Sequence, residues 1–223
     1  MYDPLDKTRR SLPIRIAQSI VRWFFRISML PFRIRVEGME RYPRMGGMLV
    51  CSNHQSNLDP LILGCVCPRP VNYLSKKQLF QFKPLGWFLT WNDGIKLDRE
   101  SGLGGIKTTL KRLKNSEAVL MFPEGTRSRD GEFQPLKRGF CMFVRKTKVN
   151  IMPVGLDGAF DVLPPRKLLP NFSATVQVVF GEAIEPAEYS DLSDEELTEL
   201  LEVRIRECFE KARAINRGRH RVR

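Results

Sequence analysis

The sequence contains no run of about 18 or more apolar residues, the length that a simple transmembrane helix requires. It has only two histidines, His54 and His220, so few positions are available for a histidine-based site. Its five cysteines are odd in number and no secretory signal is recognised, so a disulfide framework is not expected. Cys65 and Cys67 form one C-x-C pair without a second Cys or His cluster, so no metal site is predicted. We expect the thiols to be core residues of a protein from a reducing compartment.

Acidic residues are also few. The 223-residue sequence has 25 of them and 37 lysines and arginines, which gives a net charge of +12. This length suits one domain with at most a small appendage. A basic surface attracts phosphate, which could belong to nucleic acid, anionic lipid or a phosphorylated substrate. The chain lacks a helix-turn-helix pattern, zinc-ligand spacing and an aromatic ribonucleoprotein motif, so a nucleic-acid partner is not expected.

The N-terminal segment, residues 1–35, has an unusually one-sided charge. Between Arg9 and Arg35 it carries seven arginines and no acid, and residues 14–30 alternate polar and bulky apolar side chains at helical spacing. Such a helix suits the headgroup layer of an anionic membrane. Packing of the same helix against its own domain is the alternative. We predict a membrane-associating segment over 1–35, followed by a catalytic domain over 36–223.

From residue 47 onward, short apolar segments alternate with helical patterns. Strands are predicted at 47–52, 71–75, 94–97, 118–122, 151–156 and 174–180, and helices at 58–66, 84–91, 105–113 and 140–146. A last helix follows Ser193, which with Glu196 forms a capping-box pattern, and its basic end is expected to fray. The alternation predicts an α/β fold, a layered and largely parallel sheet flanked by helices.

His54 follows a predicted buried strand and precedes Asp59 by five residues. Loops at the carboxyl ends of strands commonly carry the functional site in such folds. A turn between them can bring the Asp59 carboxylate to one imidazole nitrogen, and that contact would fix the tautomer and raise the basicity of the other nitrogen. Spacing alone also fits a structural histidine, with Asp59 merely capping the next helix.

A second polar segment, residues 122–131, follows another apolar strand. It reads FPEGTRSRDG, in which Gly125 permits a tight backbone path and Arg127 offers forked donors that suit phosphate oxygens. Lys137 adds positive charge before the next helix. A solvated surface loop is the alternative, although it does not explain the apolar strand that ends at Pro123.

These segments resemble motifs of the glycerolipid acyltransferases. NHQSNLDP matches the N-H-x-x-x-x-D motif and FPEGTRSRDG the F-P-E-G-T-R motif, in the family's order and separation. Asp98-Arg99 resembles a weaker arginine motif and residues 151–158 a fourth motif centred on Pro153. The likeness covers about residues 35–185 and is greatest to 1-acyl-sn-glycerol-3-phosphate acyltransferases. Lys96 departs from the family, which usually has an apolar or aromatic residue there.

The resemblance implies an enzyme that moves a fatty-acyl group from acyl-CoA or acyl carrier protein to the sn-2 hydroxyl of 1-acyl-glycerol-3-phosphate, forming phosphatidic acid. Its catalytic base would be His54, oriented by Asp59, and no cofactor or metal would be needed beyond the thioester donor. The remaining residues implied in acceptor binding are Arg99, Glu124, Gly125, Thr126, Arg127 and Lys137. We expect such an enzyme at the cytoplasmic face of the cell membrane.

Two questions stay open in the sequence. The acceptor could instead be another lysophospholipid, glycerol 3-phosphate or an aminolipid, because the motifs identify the reaction better than the acceptor. Cys51, three residues before His54, is a rival nucleophile. A reactive thiol needs an accessible environment that lowers its pKa, however, and Cys51 lies in an apolar strand.

Overall fold

The structure is a computed structural model that describes residues 33–76, 95–97, 103–165, 167 and 169–220. Seven strands in this part of the chain form one sheet. They are β1 (Ile34–Glu37), β2 (Met48–Ser52), β3 (Val71–Lys76), β4 (Ile95–Leu97), β5 (Ala118–Met121), β6 (Asn150–Asp157) and β7 (Val176–Phe180).

The sheet has the order β1-β7-β6-β2-β5-β3-β4, and only the β6–β7 pair is antiparallel. The predicted largely parallel sheet is therefore confirmed. β2 lies at its centre between β5 and β6, and all five of its residues are buried. Since β2, β5 and β6 run in the same direction, the segments that follow them meet at one edge of the sheet. We call this the carboxyl edge.

Helices flank the sheet on both faces. They are α1 (Asp59–Val66), α2 (Leu103–Lys114), α3 (Cys141–Thr147), α4 (Ala159–Val162), α5 (Pro186–Tyr189) and α6 (Asp194–His220), with 3₁₀ turns at Met39–Arg41 and Arg138–Phe140. The predicted helix at 84–91 lies outside the described residues, as does the N-terminal helix at 14–30. None of the helices in the described part of the chain has the length and apolar character needed to cross a bilayer.

The side chains of β2 contribute to two hydrophobic cores, one on each face of the sheet, because successive side chains of a strand point to opposite faces. Met48 and Val50 pack in the core that contains α1, whereas Leu49 and Cys51 pack in the core beneath α2, α3 and α6. All five cysteines are buried and free, as the sequence predicted.

α6 begins with the predicted capping box. The Ser193 amide donates to Glu196 Oε2 at 2.7 Å, and the Glu196 amide donates to Ser193 Oγ at 3.2 Å. One face of the helix is apolar and buried, at Leu197, Leu201, Ile205, Cys208 and Ala212. The expectation that the basic end frays was wrong up to His220, because the helix continues to that residue. Asn216 holds it there by donating to the Asp157 carboxylate at 2.8 Å.

Candidate active site

A tight turn between β2 and α1 joins His54 to Asp59. His54 Nδ1 lies 2.7 Å from Asp59 Oδ2, and the same oxygen accepts the backbone amides of Gln55 at 2.6 Å and Ser56 at 2.8 Å. Asp59 is fully buried, while 17% of the His54 side chain is exposed. Three donors on one oxygen fix the carboxylate, which can then hold the Nδ1 proton. His54 Nε2, which has no hydrogen bond within the described residues, is thereby available as a proton acceptor.

The loop after β5 packs directly on this turn. The Phe122 ring stacks on the His54 ring with 4.0 Å between centroids and 14° between planes. The Ser128 amide donates to the His54 carbonyl at 2.7 Å. The two sequence motifs are therefore one structural unit, joined at the histidine itself. Parallel pairing of β2 with β5 brings them together.

Glu124 is buried beside this unit, with only 2% of its surface exposed. Neither carboxylate oxygen makes a hydrogen bond of good geometry within the described part of the chain. Burial raises the pKa of Glu124 to about 8, and the nearby backbone amides of Gln134 and His54 oppose the rise only in part. The neighbouring Asp59 and Glu202 carboxylates raise this pKa further. Near neutral pH, Glu124 is therefore mainly a protonated hydrogen-bond donor.

Positive charge lines the same loop. Gly125 has a φ of +73°, and a β-carbon built there would lie 3.1 Å from Lys137 Nζ, so the ammonium group sits over this turn. The Lys137 amide donates to the Pro123 carbonyl at 2.9 Å, which fixes the base of that side chain. Arg127 is partly buried, Thr126 is exposed, and neither Arg127 nor Lys137 forms an ion pair among the described residues. Both cations are thus available to an anionic ligand.

Two further residues raised by the sequence are the predicted phosphate ligand Arg99 and the rival nucleophile Cys51. Arg99 lies outside the described residues. Cys51 is fully buried in β2, and burial together with the neighbouring Cys141 raises the pKa of its thiol far above the ordinary value. An inaccessible, protonated thiol is not a nucleophile.

A family model described as Acyltransferase matches residues 33–157, more than half of the chain. The chain belongs to the acyltransferase family. It is 32% identical over 184 residues to the 1-acyl-sn-glycerol-3-phosphate acyltransferase of Bacillus subtilis, covering 80% of this chain and 89% of that protein. A chloroplastic enzyme of the same description from Arabidopsis thaliana is 32% identical over 150 residues, covering 65% of this chain and 42% of the plant protein.

A solved structure has the same fold. It is the crystal structure of the 1-acyl-sn-glycerophosphate (LPA) acyltransferase PlsC from Thermotoga maritima, with a TM-score of 0.75 and 25% sequence identity. The match covers 88% of this acyltransferase and 80% of the Thermotoga chain. The likeness therefore extends beyond the two motifs to the sheet and to most of its helices.

The structure adds supporting residues that the sequence analysis did not single out. Asn53 donates to the Leu156 carbonyl and accepts the Leu156 amide, both at 2.8 Å, which fixes the start of the turn to β6. Ser56 Oγ donates to the Leu163 carbonyl at 2.8 Å. Their only sequence signal is their position inside NHQSNLDP. Their partners are more than 100 residues away, so only the fold reveals the contacts.

Gln55 connects three parts of the site. Its side-chain amide donates to the Gly131 carbonyl at 2.7 Å and accepts the Phe160 amide at 3.4 Å, while its own backbone amide holds Asp59. The side chain is almost fully buried. Gln55 therefore links the His54–Asp59 turn to the end of the cationic loop.

We expect Gln55→Ala to lower kcat by on the order of 10-fold, because small displacements of catalytic groups slow reactions strongly. Steady-state acyl-transfer assays measure this. Gln177→Ala is the matched control, since Gln177 is equally buried but lies in β7, and among the described residues its side chain bonds only to the Val178 carbonyl. If both variants lose the same activity in proportion to lost stability, Gln55 has no positioning role.

The raised pKa of Glu124 predicts a pH-dependent stability. The unfolded chain releases this proton near the ordinary pKa of 4.5, whereas the folded chain retains it to about pH 8. Between these values the folded state binds more protons, so Glu124 lowers the free energy of unfolding progressively as pH rises. Glu124→Gln is expected to match the wild type below pH 4.5 and to exceed its Tm by on the order of 5 °C at pH 8.

Thermal unfolding followed by circular dichroism across this pH range provides the measurement. Glu207→Gln removes the same charge from an exposed position on α6 and serves as control. A Tm difference that does not change with pH would show that folding does not raise the pKa of Glu124.

Proposed function

We propose that this acyltransferase moves a fatty-acyl group from acyl-CoA or acyl carrier protein to the sn-2 hydroxyl of 1-acyl-glycerol-3-phosphate. The product is phosphatidic acid. The observation that carries the proposal is the His54–Asp59 pair, with 2.7 Å between Nδ1 and Oδ2, bonded through Ser128 to a loop whose cations have no ion pair among the described residues. A base beside a cationic loop suits an acceptor that has both a hydroxyl and a phosphate.

In the proposed reaction His54 Nε2 removes the hydroxyl proton as the acceptor oxygen attacks the thioester carbon. Such a base typically contributes about 10² to 10⁴ in rate. The new C–O bond forms, the C–S bond breaks, and the thiolate leaves. The thiol pKa is about 8.5, so departure needs no strong acid, and the imidazolium can return the proton to the thiolate. Asp59 stabilises the imidazolium meanwhile.

Arg127 and Lys137 bind the acceptor phosphate in this proposal, together with Arg99. Arg127 supplies a planar pair of donors and Lys137 a compact charge. Protonated Glu124 donates a hydrogen bond within the acceptor pocket, whose wall Gly125 and Thr126 form. Attack is direct, without an acyl-enzyme, and the reaction uses no metal or cofactor beyond the thioester donor.

The proposed site of action is the cytoplasmic face of the cell membrane, where thioester donors and a lipid acceptor meet. The basic segment 1–35 supports an anionic membrane as the partner, and the absence of nucleic-acid-binding motifs from the sequence speaks against nucleic acid.

An acyl-transfer assay with a panel of acceptors tests the proposed substrate. The panel contains 1-acyl-glycerol-3-phosphate, other lysophospholipids, glycerol 3-phosphate and an aminolipid, each with acyl-CoA and with acyl carrier protein. His54→Ala protein serves as the blank. We expect the highest kcat/KM with 1-acyl-glycerol-3-phosphate, and a higher value for another acceptor would replace the proposed one.

A further inference from the structure

A loop with protruding apolar residues lies at the carboxyl edge, next to the turn that holds His54. It connects α4 to β7 over residues 163–175. Leu169 is 85% exposed and Phe172 is 53% exposed, which is unusual for side chains of this size. The membrane-associating segment predicted from the sequence, residues 1–35, does not include this loop.

The base of the loop is fixed to the active site. The Ser56 hydroxyl donates to the Leu163 carbonyl at 2.8 Å, and the Asn171 amide donates to the Val162 carbonyl at 2.7 Å, which closes the loop. Leu169 therefore lies in a loop whose base is beside the His54–Asp59 turn, and Phe172 directly follows the closing residue Asn171. Pro164, Pro165 and Pro170 restrict the backbone, so little conformational freedom is lost when the tip is bound.

The charged residues of the loop itself are all basic, which favours an anionic partner. No acidic residue occurs from Val162 through Gly181 in the sequence, and Lys167 is an exposed cation within the loop. Arg217, near the end of α6, lines the same cleft as Asn171 and Ser173. Four carboxylates line that cleft: Glu132 and Asp157 are paired with Arg213, Asp130 accepts the Ser128 hydroxyl at 2.8 Å, and Asp161 lies just before the loop.

We infer that the 163–175 loop is a membrane-contact surface that inserts Leu169 and Phe172 into an anionic bilayer. Apolar tips flanked by cations match the boundary between acyl chains and anionic headgroups. Insertion there turns the carboxyl edge, and with it His54, towards the layer in which a lipid acceptor lies. The inference rests on the proposed function for its choice of a lipid surface.

Selective labelling tests this inference in the full chain. All five native cysteines are buried, so Leu169→Cys introduces one accessible thiol for an environment-sensitive fluorophore. Met45→Cys is the matched control, because Met45 is also 85% exposed but precedes β2, at the opposite edge of the sheet. The label reports only its own surroundings, so binding through residues 1–35 does not by itself change the signal.

With vesicles of equal parts phosphatidylglycerol and phosphatidylcholine, we expect a severalfold fluorescence increase and a blue shift at position 169, and neither at position 45. Leu169→Ser combined with Phe172→Ser should weaken vesicle partitioning at least about 10-fold, while Met45→Ser should not. An unchanged signal at 169, equal changes at both positions, or an unaffected double variant would overturn the inference. So would a self-association that Leu169→Ser abolishes without changing vesicle binding.

These measurements need no turnover, so they can fail independently of the proposed function. If the protein acylates 1-acyl-glycerol-3-phosphate but shows no signal at 169, the membrane-contact inference is wrong and the proposed function stands. If position 169 inserts but another acceptor is preferred, the proposed substrate is wrong and the membrane-contact inference stands.

Discussion

Replacing His54 with alanine is expected to abolish acyl transfer, reducing kcat by at least about 10² to 10⁴. His54 lies on the carboxyl edge, and its Nδ1 is 2.7 Å from Asp59 Oδ2. Without the imidazole, nothing else among the described residues of this turn can accept the hydroxyl proton, because Asp59 is fully buried behind the ring. Initial rates with saturating donor and acceptor measure the loss. The melting temperature shows whether the variant is folded.

Cys51→Ala provides the contrasting variant, since Cys51 is the rival nucleophile and lies three residues before His54. It should keep most of the activity, because its thiol is fully buried and its raised pKa keeps it protonated. If Cys51→Ala abolished turnover in a folded protein while His54→Ala remained active, His54 would not be the base.

Arg127→Ala is expected to raise the KM for the acceptor by roughly 10- to 100-fold, the loss of one or two charge-assisted hydrogen bonds. Its effect on the donor KM should be much smaller. Arg127 follows the Gly125 turn over which Lys137 lies, and the next residue, Ser128, is bonded to His54. The backbone at Arg127 is thus fixed next to the turn that holds the base, and its side chain forms no ion pair among the described residues. Varying acceptor and donor separately in steady-state assays distinguishes the two constants.

Arg44→Ala removes the same charge from an exposed position before β2, at the opposite edge of the sheet. It should leave both KM values within about twofold of the wild type, because charges separated by more than about 10 Å are largely screened at ordinary ionic strength. Equal increases in the acceptor and donor KM for Arg127→Ala would indicate that the whole loop had collapsed.

Local patterns in the sequence predicted most elements of the catalytic domain. The strand predicted at 47–52 is β2, and the helix predicted at 58–66 is α1, because apolar runs and Pro60 near a helix start are local signals. The sequence analysis did not predict β1, a four-residue strand in the basic N-terminal region. Nor could it predict that β7 runs antiparallel to β6, since strand direction depends on the connection between them.

Some active-site residues were likewise predicted from the sequence, and others were revealed only by the structure. His54, Asp59, Glu124 and Arg127 were identified from motif chemistry, and the structure brings them to one edge of the sheet. The roles of Asn53, Gln55 and Ser56 were not visible, because their partners lie 76 to 107 residues away along the chain. The pKa of Glu124 was equally hidden, because desolvation depends on what covers the carboxylate.

The sequence by itself therefore determined the reaction class, through two motifs whose residue types and spacing specify a base, its partner and a cationic loop. The tertiary structure decided how those parts meet. Parallel pairing of β2 with β5 stacks Phe122 on His54, and pairing of β2 with β6 brings the 163–175 loop beside the same turn. The physical reason is that motif chemistry is encoded in neighbouring residues, whereas burial, strand order and contacts across a sheet arise only when distant segments pack together.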